Sequence, residues 1–314
     1  DKLTFNFGAR FTDEEKNGRA YNTLNTVPGG VAADFDKSTT FSSVSPRLGL
    51  DYQMNDDVMW YVNASRGFKS GGYNVRAQET FFPESSEPFD DEVLTVVEVG
   101  VKSYLADSVL LNAAAFVGDY TDIQVSTFTS YDSDFDGVDD SFYGDFLNAG
   151  DATLTGLEVE FDWKSPTVSW LGLSGNFSLL DADADEIDAD GNGLVDTQVI
   201  TNAPEITYAL NLNVNTPAWG GLISGSLGYS YRDDSTLTNE GNGVSPIVQP
   251  SFDLINAWVS WLSADGTWRF TINGKNLTDE EYLTNGYNIP ALGVLTGSLG
   301  DPKSVTASIG YRFW

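Results

Sequence analysis

The chain has 314 residues, with 16 Lys plus Arg against 46 Asp plus Glu for a formal charge of −30, and it contains neither cysteine nor histidine. That charge excludes a phosphate-neutralising nucleic-acid surface, which needs a basic footprint. Without Cys or His there is no disulfide framework, no thiolate metal site and no serine-histidine or aspartate-histidine hydrolase, so an enzyme would depend on paired carboxylates.

No apolar run reaches the roughly 18 residues of a membrane-crossing helix. A barrel strand crosses with only about 9–11 residues of alternating character, and the chain's slightly hydrophilic mean hydropathy suits a protein with a wet interior. The start, Asp1-Lys2-Leu3-Thr4-Phe5, has no charged n-region and no apolar h-region, so no leader is expected within this numbering.

Taken in chain order, period-two alternation predicts strands near 2–12, 43–54, 57–67, 91–104, 108–126, 145–164, 168–181, 203–215, 222–232, 251–262, 267–276 and 304–314. In the first, Leu3, Phe5, Phe7, Ala9 and Phe11 oppose Thr4, Asn6, Gly8, Arg10 and Thr12. The clearest is 156–164, where Leu157, Val159, Phe161 and Trp163 oppose Glu158, Glu160, Asp162 and Lys164. The last sets Val305, Ala307, Ile309, Tyr311 and Phe313 against Thr306, Ser308, Gly310 and Arg312. Tight turns at 55–56, 106–107, 165–166, 217–221 and 264–266 alternate with long loops at 13–42, 68–90, 127–144, 182–202, 233–250 and 277–303. Short turns on one rim and long loops on the other form the outer-membrane barrel pattern. Trp60, Tyr104, Trp163, Trp170, Trp219, Tyr229, Trp261, Trp268 and Tyr311 lie near strand ends, where aromatic girdles form. The fold class is therefore all-β, a transmembrane antiparallel β-barrel with about 12 strands in this chain, short periplasmic turns and long extracellular loops.

Two loops carry calcium-ligand spacing. Asp188, Asp190, Asn192 and Asp196 take positions 1, 3, 5 and 9 of an EF-type loop with Gly193 at 6, although Val199 stands where the bidentate Glu belongs. Asp132, Asp134, Asp136 and Asp139 repeat the early spacing with Gly137 at 6. Both are expected to hold Ca2+ weakly, and a solvated acidic loop is the competing explanation. A second set of charges is expected to face the lumen: Arg10, Arg47, Asp51, Arg66, Lys69, Glu98, Lys102, Glu158, Glu160, Asp162, Lys164, Arg269, Lys275 and Arg312, with Tyr73 beyond Arg66 toward the vestibule. Glu158 and Glu160 point the same way with nothing to split their pKa values, so they read as pore lining rather than a glycosidase pair.

Several fragments resemble the C-terminal barrel of TonB-dependent outer-membrane receptors. They are Ser45-Pro46-Arg47-Leu48-Gly49-Leu50, the run from Tyr61 to Asn74, Asn148-Ala149-Gly150 leading to Gly156-Leu157-Glu158, Asn202-Ala203-Pro204, the run from Asn276 to Tyr282, Gly286-Tyr287 and the terminal Tyr311-Arg312-Phe313. The resemblance covers nearly the whole chain. It implies a barrel of about 22 strands, plugged by an N-terminal globular domain with a TonB-contacting box. Neither plug nor TonB box is present in these residues, so the chain is expected to be the C-terminal portion of a longer receptor, with a self-closed barrel of twelve strands as the alternative.

The expected function is nutrient uptake across a Gram-negative outer membrane, of an iron chelate, a cobalamin-like molecule or a glycan. No catalytic residues are expected. The expected partners are outer-membrane lipid, the nutrient, the TonB complex through a plug outside this chain, and the barrel-assembly machinery. A porin-like passive channel and a calcium-stabilised surface adhesion or assembly barrel are the alternatives.

Overall fold

A computed structural model describes residues 2–23, 30–133, 137, 141–148, 150–185, 200–238, 247–289 and 294–313. The alternating segments form β1 (Leu3–Thr23), β2 (Val31–Gln53), β3 (Val58–Lys69), β4 (Gly72–Tyr73), β5 (Pro88–Phe89), β6 (Glu92–Leu105), β7 (Val109–Thr121), β8 (Gln124–Tyr131), β9 (Ser141–Asn148) and β10 (Ala152–Lys164). They continue as β11 (Leu171–Ala184), β12 (Ile206–Ala218), β13 (Gly221–Arg232), β14 (Ser235–Thr236), β15 (Val248–Gln249), β16 (Phe252–Ser263), β17 (Trp268–Lys275), β18 (Leu283–Ile289), β19 (Val294–Leu299) and β20 (Ser304–Tyr311). Twelve of these build one antiparallel sheet in the order β1-β2-β3-β6-β7-β10-β11-β12-β13-β16-β17-β20. The remaining strands pair as the small ribbons β4-β5, β8-β9, β14-β15 and β18-β19 within the long connections.

The wall strands match the expected twelve, but the segment read as a long loop at 13–42 is largely strand. β1 and β2 stay in register from Leu3↔Tyr52 up to Asn22↔Ala33. About 11 residues of each arm at roughly 3.4 Å per residue extend beyond the alternating part, a polar hairpin standing outside the bilayer. The expected strands at 108–126 and 145–164 are each broken in two. Asp122 adopts φ 55°, which ends β7 and starts the β8-β9 ribbon, and Gly150 at φ 73° separates β9 from β10. Short turns behave as expected: Ala218 pairs Gly221, and Trp219 and Gly220 between them adopt φ 50° and 64°, the left-handed pair that suits the twist of a two-residue hairpin.

The register divides the sheet into two faces. One row across it runs Asp51, Tyr61, Gly100, Ala114, Glu158, Ser178 and Thr207; the adjacent row runs Leu50, Val62, Val99, Ala115, Leu157, Leu179 and Ile206. The second row has nothing packed over it. Val62, Val99, Leu157 and Leu179 are all exposed, as are Leu210, Leu212, Leu227, Val259, Ile272 and Ile309 further along. A soluble sandwich would bury such a face against a second sheet about 10 Å away. Here the hydrophobic core lies elsewhere, in Ala20, Ala33, Phe35 and Ala77 with Tyr73 packed against them, at the long-loop end of the molecule. An apolar outer face, a polar inner face and a core confined to the external loops are the arrangement of a wall standing in lipid.

The sheet has two edges, β1 and β20, which pair with β2 and β17 respectively. Along β20 and along residues 3–11 of β1 every side chain is exposed, whichever face it takes. Trp268 lies edge-on to Tyr311 at 4.6 Å, and Tyr311 lies edge-on to Phe313 at 4.9 Å, an aromatic patch at the short-turn rim.

Candidate functional site

Above the wall, residues 70–92 fold back against the inner side of the β1-β2 hairpin. Gly18 makes this possible, because a Cβ there would collide with the Tyr73 ring. Tyr73 fills the space, 6.1 Å from Phe35, and its hydroxyl shares a hydrogen bond of 2.6 Å with Thr39. Lys37 anchors the far end of the segment by donating to Ser86 Oγ and Glu87 Oε1, both at 2.9 Å. Ser86 in turn donates to Glu79 Oε1 at 2.6 Å, and the backbone N–H of Asp34 donates to Glu79 Oε2 at 3.1 Å. Those donors, the Ser86 hydroxyl foremost, hold the Glu79 carboxyl below the usual carboxylate range.

The same segment is tied to the β8-β9 ribbon through Asn74, which is 2% exposed. Its Nδ2 donates to Gly144 O at 2.9 Å and to Asp145 Oδ1 at 3.0 Å, while its Oδ1 accepts from the Arg76 backbone N–H at 3.0 Å. Phe82 stacks on Tyr143 at 4.7 Å, and burial pushes the Tyr143 hydroxyl far above its usual pKa. Two further side chains fasten the floor. Gln124 Nε2 donates to the carbonyls of Asp90 and Ser70 at 3.0 and 3.2 Å, and Asn148 Nδ2 donates to those of Asp122 and Asp90 at 2.8 and 3.0 Å. Amides that each satisfy several backbone groups tie a loop down much as a ladder does.

These ties enclose a vestibule of about 640 Å³ at the long-loop rim. Its lining comes from distant parts of the chain, among them Lys69, Arg76, Tyr120, Phe146, Thr238 and Tyr287. The Arg76 guanidinium lies over the Phe146 ring at 4.9 Å and donates to Ser126 Oγ at 3.2 Å. Lys69 pairs with Glu92 at 3.3 Å, and Glu92 also accepts from the Gln124 backbone N–H at 2.8 Å. With aromatic walls and two cations, Arg76 and the Glu92-paired Lys69, against one carboxylate, a cavity of this size suits a small organic anion.

Of the residues expected to face the lumen or substrate, Lys69 lines this vestibule. Glu158, Glu160 and Asp162 are exposed along the inner face of β10, sharing it with Ala114, Asn112 and Leu110 of β7. Arg269 lies on the inner face of β17 with Thr271 and Asn273, and Arg312 follows β20 at the short-turn rim, where its backbone N–H donates to Thr267 O at 2.8 Å. Two assignments change. Arg66 pairs Thr95 and shares the parity of Val62 and Ala64, so it projects from the outer face, three residues out of phase with Lys69. Tyr73 lines no lumen; it belongs to the external core.

Asp188, Asp190, Asn192, Asp196, Asp134, Asp136 and Asp139 lie outside the described residues. Asp132 is described, and its Oδ2 accepts from the Gly137 backbone N–H at 2.6 Å. Arg76, Gln124, Phe146 and Tyr287 escaped the sequence reading as site residues. Fragments that matched the resemblance hold or flank three of them: Tyr287 belongs to Gly286-Tyr287, Asn148-Ala149-Gly150 follows Phe146, and Asn74 stands two residues before Arg76.

A sheet with an exposed apolar side, a polar inner side and a vestibule at its long-loop rim is the wall of a transmembrane β-barrel. Residues 1–277 match the family model described as TonB dependent receptor-like, beta-barrel. The chain belongs to this family of TonB-dependent receptor barrels. It is 24% identical to the pesticin receptor of Yersinia enterocolitica over 99% of its own length and 42% of that protein. It is 25% identical to the metal-pseudopaline receptor CntO of Pseudomonas aeruginosa over 100% of its length and 40% of that protein. Among solved structures, the ferric yersiniabactin uptake receptor FyuA from Yersinia pestis superposes with a TM-score of 0.74 at 18% identity, covering 100% of this chain and 43% of that one. The chain thus spans about two fifths of the length of these relatives.

Proposed function

We propose that this chain supplies the wall and external vestibule of a receptor that captures a small anionic metal chelate at the surface of a Gram-negative cell and imports it with the help of TonB. The observation that carries this reading is the vestibule, where Lys69 and the aromatic-stacked Arg76 meet Tyr120, Phe146 and Tyr287 in a cavity large enough for one chelate. The names of the relatives, receptors for metal-pseudopaline and ferric yersiniabactin, support the choice of a metal complex over cobalamin or glycan. On this reading the outer face of the sheet meets outer-membrane lipid, the barrel-assembly machinery inserts the strands, and a plug from the rest of the receptor gates the lumen.

The test is uptake of radiolabelled iron by cells that rely on this receptor, using whichever of a ferric catecholate, hydroxamate or phenolate chelate the unaltered receptor imports. Arg76→Glu at normal surface level should lower uptake at least about tenfold, the equivalent of one charge-assisted hydrogen bond. Full uptake by that variant defeats the vestibule reading, and uptake that survives loss of TonB indicates a passive channel instead.

The acidic loops fit the same reading. From their spacing we propose that Asp188, Asp190, Asn192 and Asp196, and separately Asp132, Asp134, Asp136 and Asp139, each hold a weakly bound calcium ion that steadies the external surface. A calcium titration should raise thermal stability and protect these loops from protease; no change in either removes the proposal.

A further inference from the structure

Below the external hairpin, the outer face of the described wall strands carries a single cation, Arg66. Arg10, Arg47, Lys102, Lys164 and Arg269, by contrast, take the inner parity. The surroundings of Arg66 on the outer face are apolar. The row beneath it runs Leu48, Ala64, Val97 and Val117, of which Leu48, Val97 and Val117 are exposed, and Phe68 pairs Val93 directly above it. Arg66 is itself exposed, faces Thr95 across the ladder, and makes no ion pair among the described residues. The outward carboxylate of its own row, Asp119, is two strands away, at about 10 Å.

The position lies just below the top of the apolar band. On the neighbouring β2 the last apolar outward residue is Val44, and the exposed hydroxyls of Ser42 and Thr40 follow it. On β3 the last residue of that face is Phe68, one alternation beyond Arg66 and about 7 Å along the strand. An arginine stem lifts its guanidinium through that distance, so the charge reaches the headgroup level while the methylenes stay in hydrocarbon. A guanidinium without a protein counter-ion meets lipid phosphate there, and it can grip a phosphate through two parallel N–H donors. With a formal charge of −30 the chain has no general attraction for anionic lipid, so a preference of this kind has to be local.

We propose that Arg66 is the docking point for the phosphate of an outer-leaflet lipid, whose acyl chains pack on Leu48, Val97 and Val117 beneath it. The guanidinium holds the headgroup, and the exposed apolar row holds the tails in place. This inference rests on the reading of the outer face as lipid-facing and is independent of the vestibule and its ligand.

The experiment is native mass spectrometry of the whole receptor, released from mixed micelles that hold phosphatidylcholine and phosphatidic acid in equal amounts. Phosphatidic acid should be retained in preference to phosphatidylcholine. Arg66→Gln should lower that retention about tenfold, the equivalent of one charge-assisted hydrogen bond, and Arg66→Lys, which keeps the charge without the fork, should fall between. Arg19→Gln removes an outward cation that stands above the bilayer opposite Asp36, and it should leave retention unchanged. Equal retention of the two lipids, full retention by Arg66→Gln, an equal loss in Arg19→Gln, or displacement of the bound lipid by inorganic phosphate overturns the proposal. So does an Arg66→Gln receptor that unfolds at lower urea in vesicles of phosphatidylcholine alone, because Arg66 then has its partner within the protein. Leu212→Arg tests the lipid-facing reading by itself: if it leaves the wall fully stable, that reading and this one fail together. A destabilised Leu212→Arg receptor beside an Arg66→Gln receptor with full lipid retention defeats the docking point alone.

Discussion

Leu212→Arg should destabilise the inserted barrel by about 2–4 kcal/mol, the range for a cation on the lipid face at the bilayer midplane, whereas Asn213→Arg should change it by no more than about 1 kcal/mol. The two positions are adjacent in the middle of β12. Leu212 pairs Leu173 and Leu227 on the apolar side, and Asn213 pairs Gly172 and Ser226 on the polar side. Arginine at Leu212 must hold its charge in hydrocarbon or drag water toward it. At Asn213 the same side chain enters the polar inner side and loses two bonds from Asn213 Nδ2, to Ser174 Oγ at 3.1 Å and to Asn211 O at 3.4 Å. Urea unfolding in phospholipid vesicles, read by heat-modifiable gel mobility, measures both. Equal destabilisation by the two variants would mean that the sheet has no lipid side.

Asn74→Ala should release residues 71–90 from the β8-β9 ribbon while leaving the wall intact. The substitution removes two donated bonds and one accepted bond around a buried amide, and leaves the buried Gly144 carbonyl, the half-buried Asp145 carboxylate and the Arg76 backbone N–H without those partners. Each buried group so stranded costs about 1–3 kcal/mol, so local opening should become on the order of a hundredfold more frequent. Asn74→Asp should not rescue it, since the new carboxylate meets that of Asp145. The readout is limited proteolysis within 75–90 set beside the unfolding midpoint of the wall. Unchanged cleavage with an unchanged midpoint sinks the idea that Asn74 locks the vestibule.

The wall was legible in the sequence because lipid on one side and water on the other impose strict alternation, and 156–164 or 304–311 obey it with hardly an exception. Parity also carried a warning that was missed. Asn63, Ser65 and Lys69 are in phase with each other and Arg66 is not, so counting by twos from Asn63 would have sent Arg66 outward. The extended hairpin stayed hidden for a different reason. Residues 12–22 are polar on both faces, with only Gly18 and Ala20 buried, so no hydrophobic period marks them as strand. Their conformation is set by pairing with β2 and by Tyr73 arriving from 55 residues further along the chain. Non-local packing of that kind leaves no local trace. The vestibule was invisible for the same reason, although the asparagines that hold it together, Asn74 and Asn148, stand within the motifs that first suggested the family.

The strand order of the wall bears on how such a sheet is made. Each wall strand lies beside the wall strand before it, and the small ribbons are set aside in the connections. Every pairing within the sheet is therefore a hairpin closure between near neighbours in the chain, the cheapest kind in loop entropy and the fastest to form. Growth can run like a zipper, one hairpin at a time, with a single live edge moving ahead of it. The outer strands of this sheet, β1 and β20, each present an open backbone edge, and because bare edges cannot remain in hydrocarbon each of them needs a further partner strand.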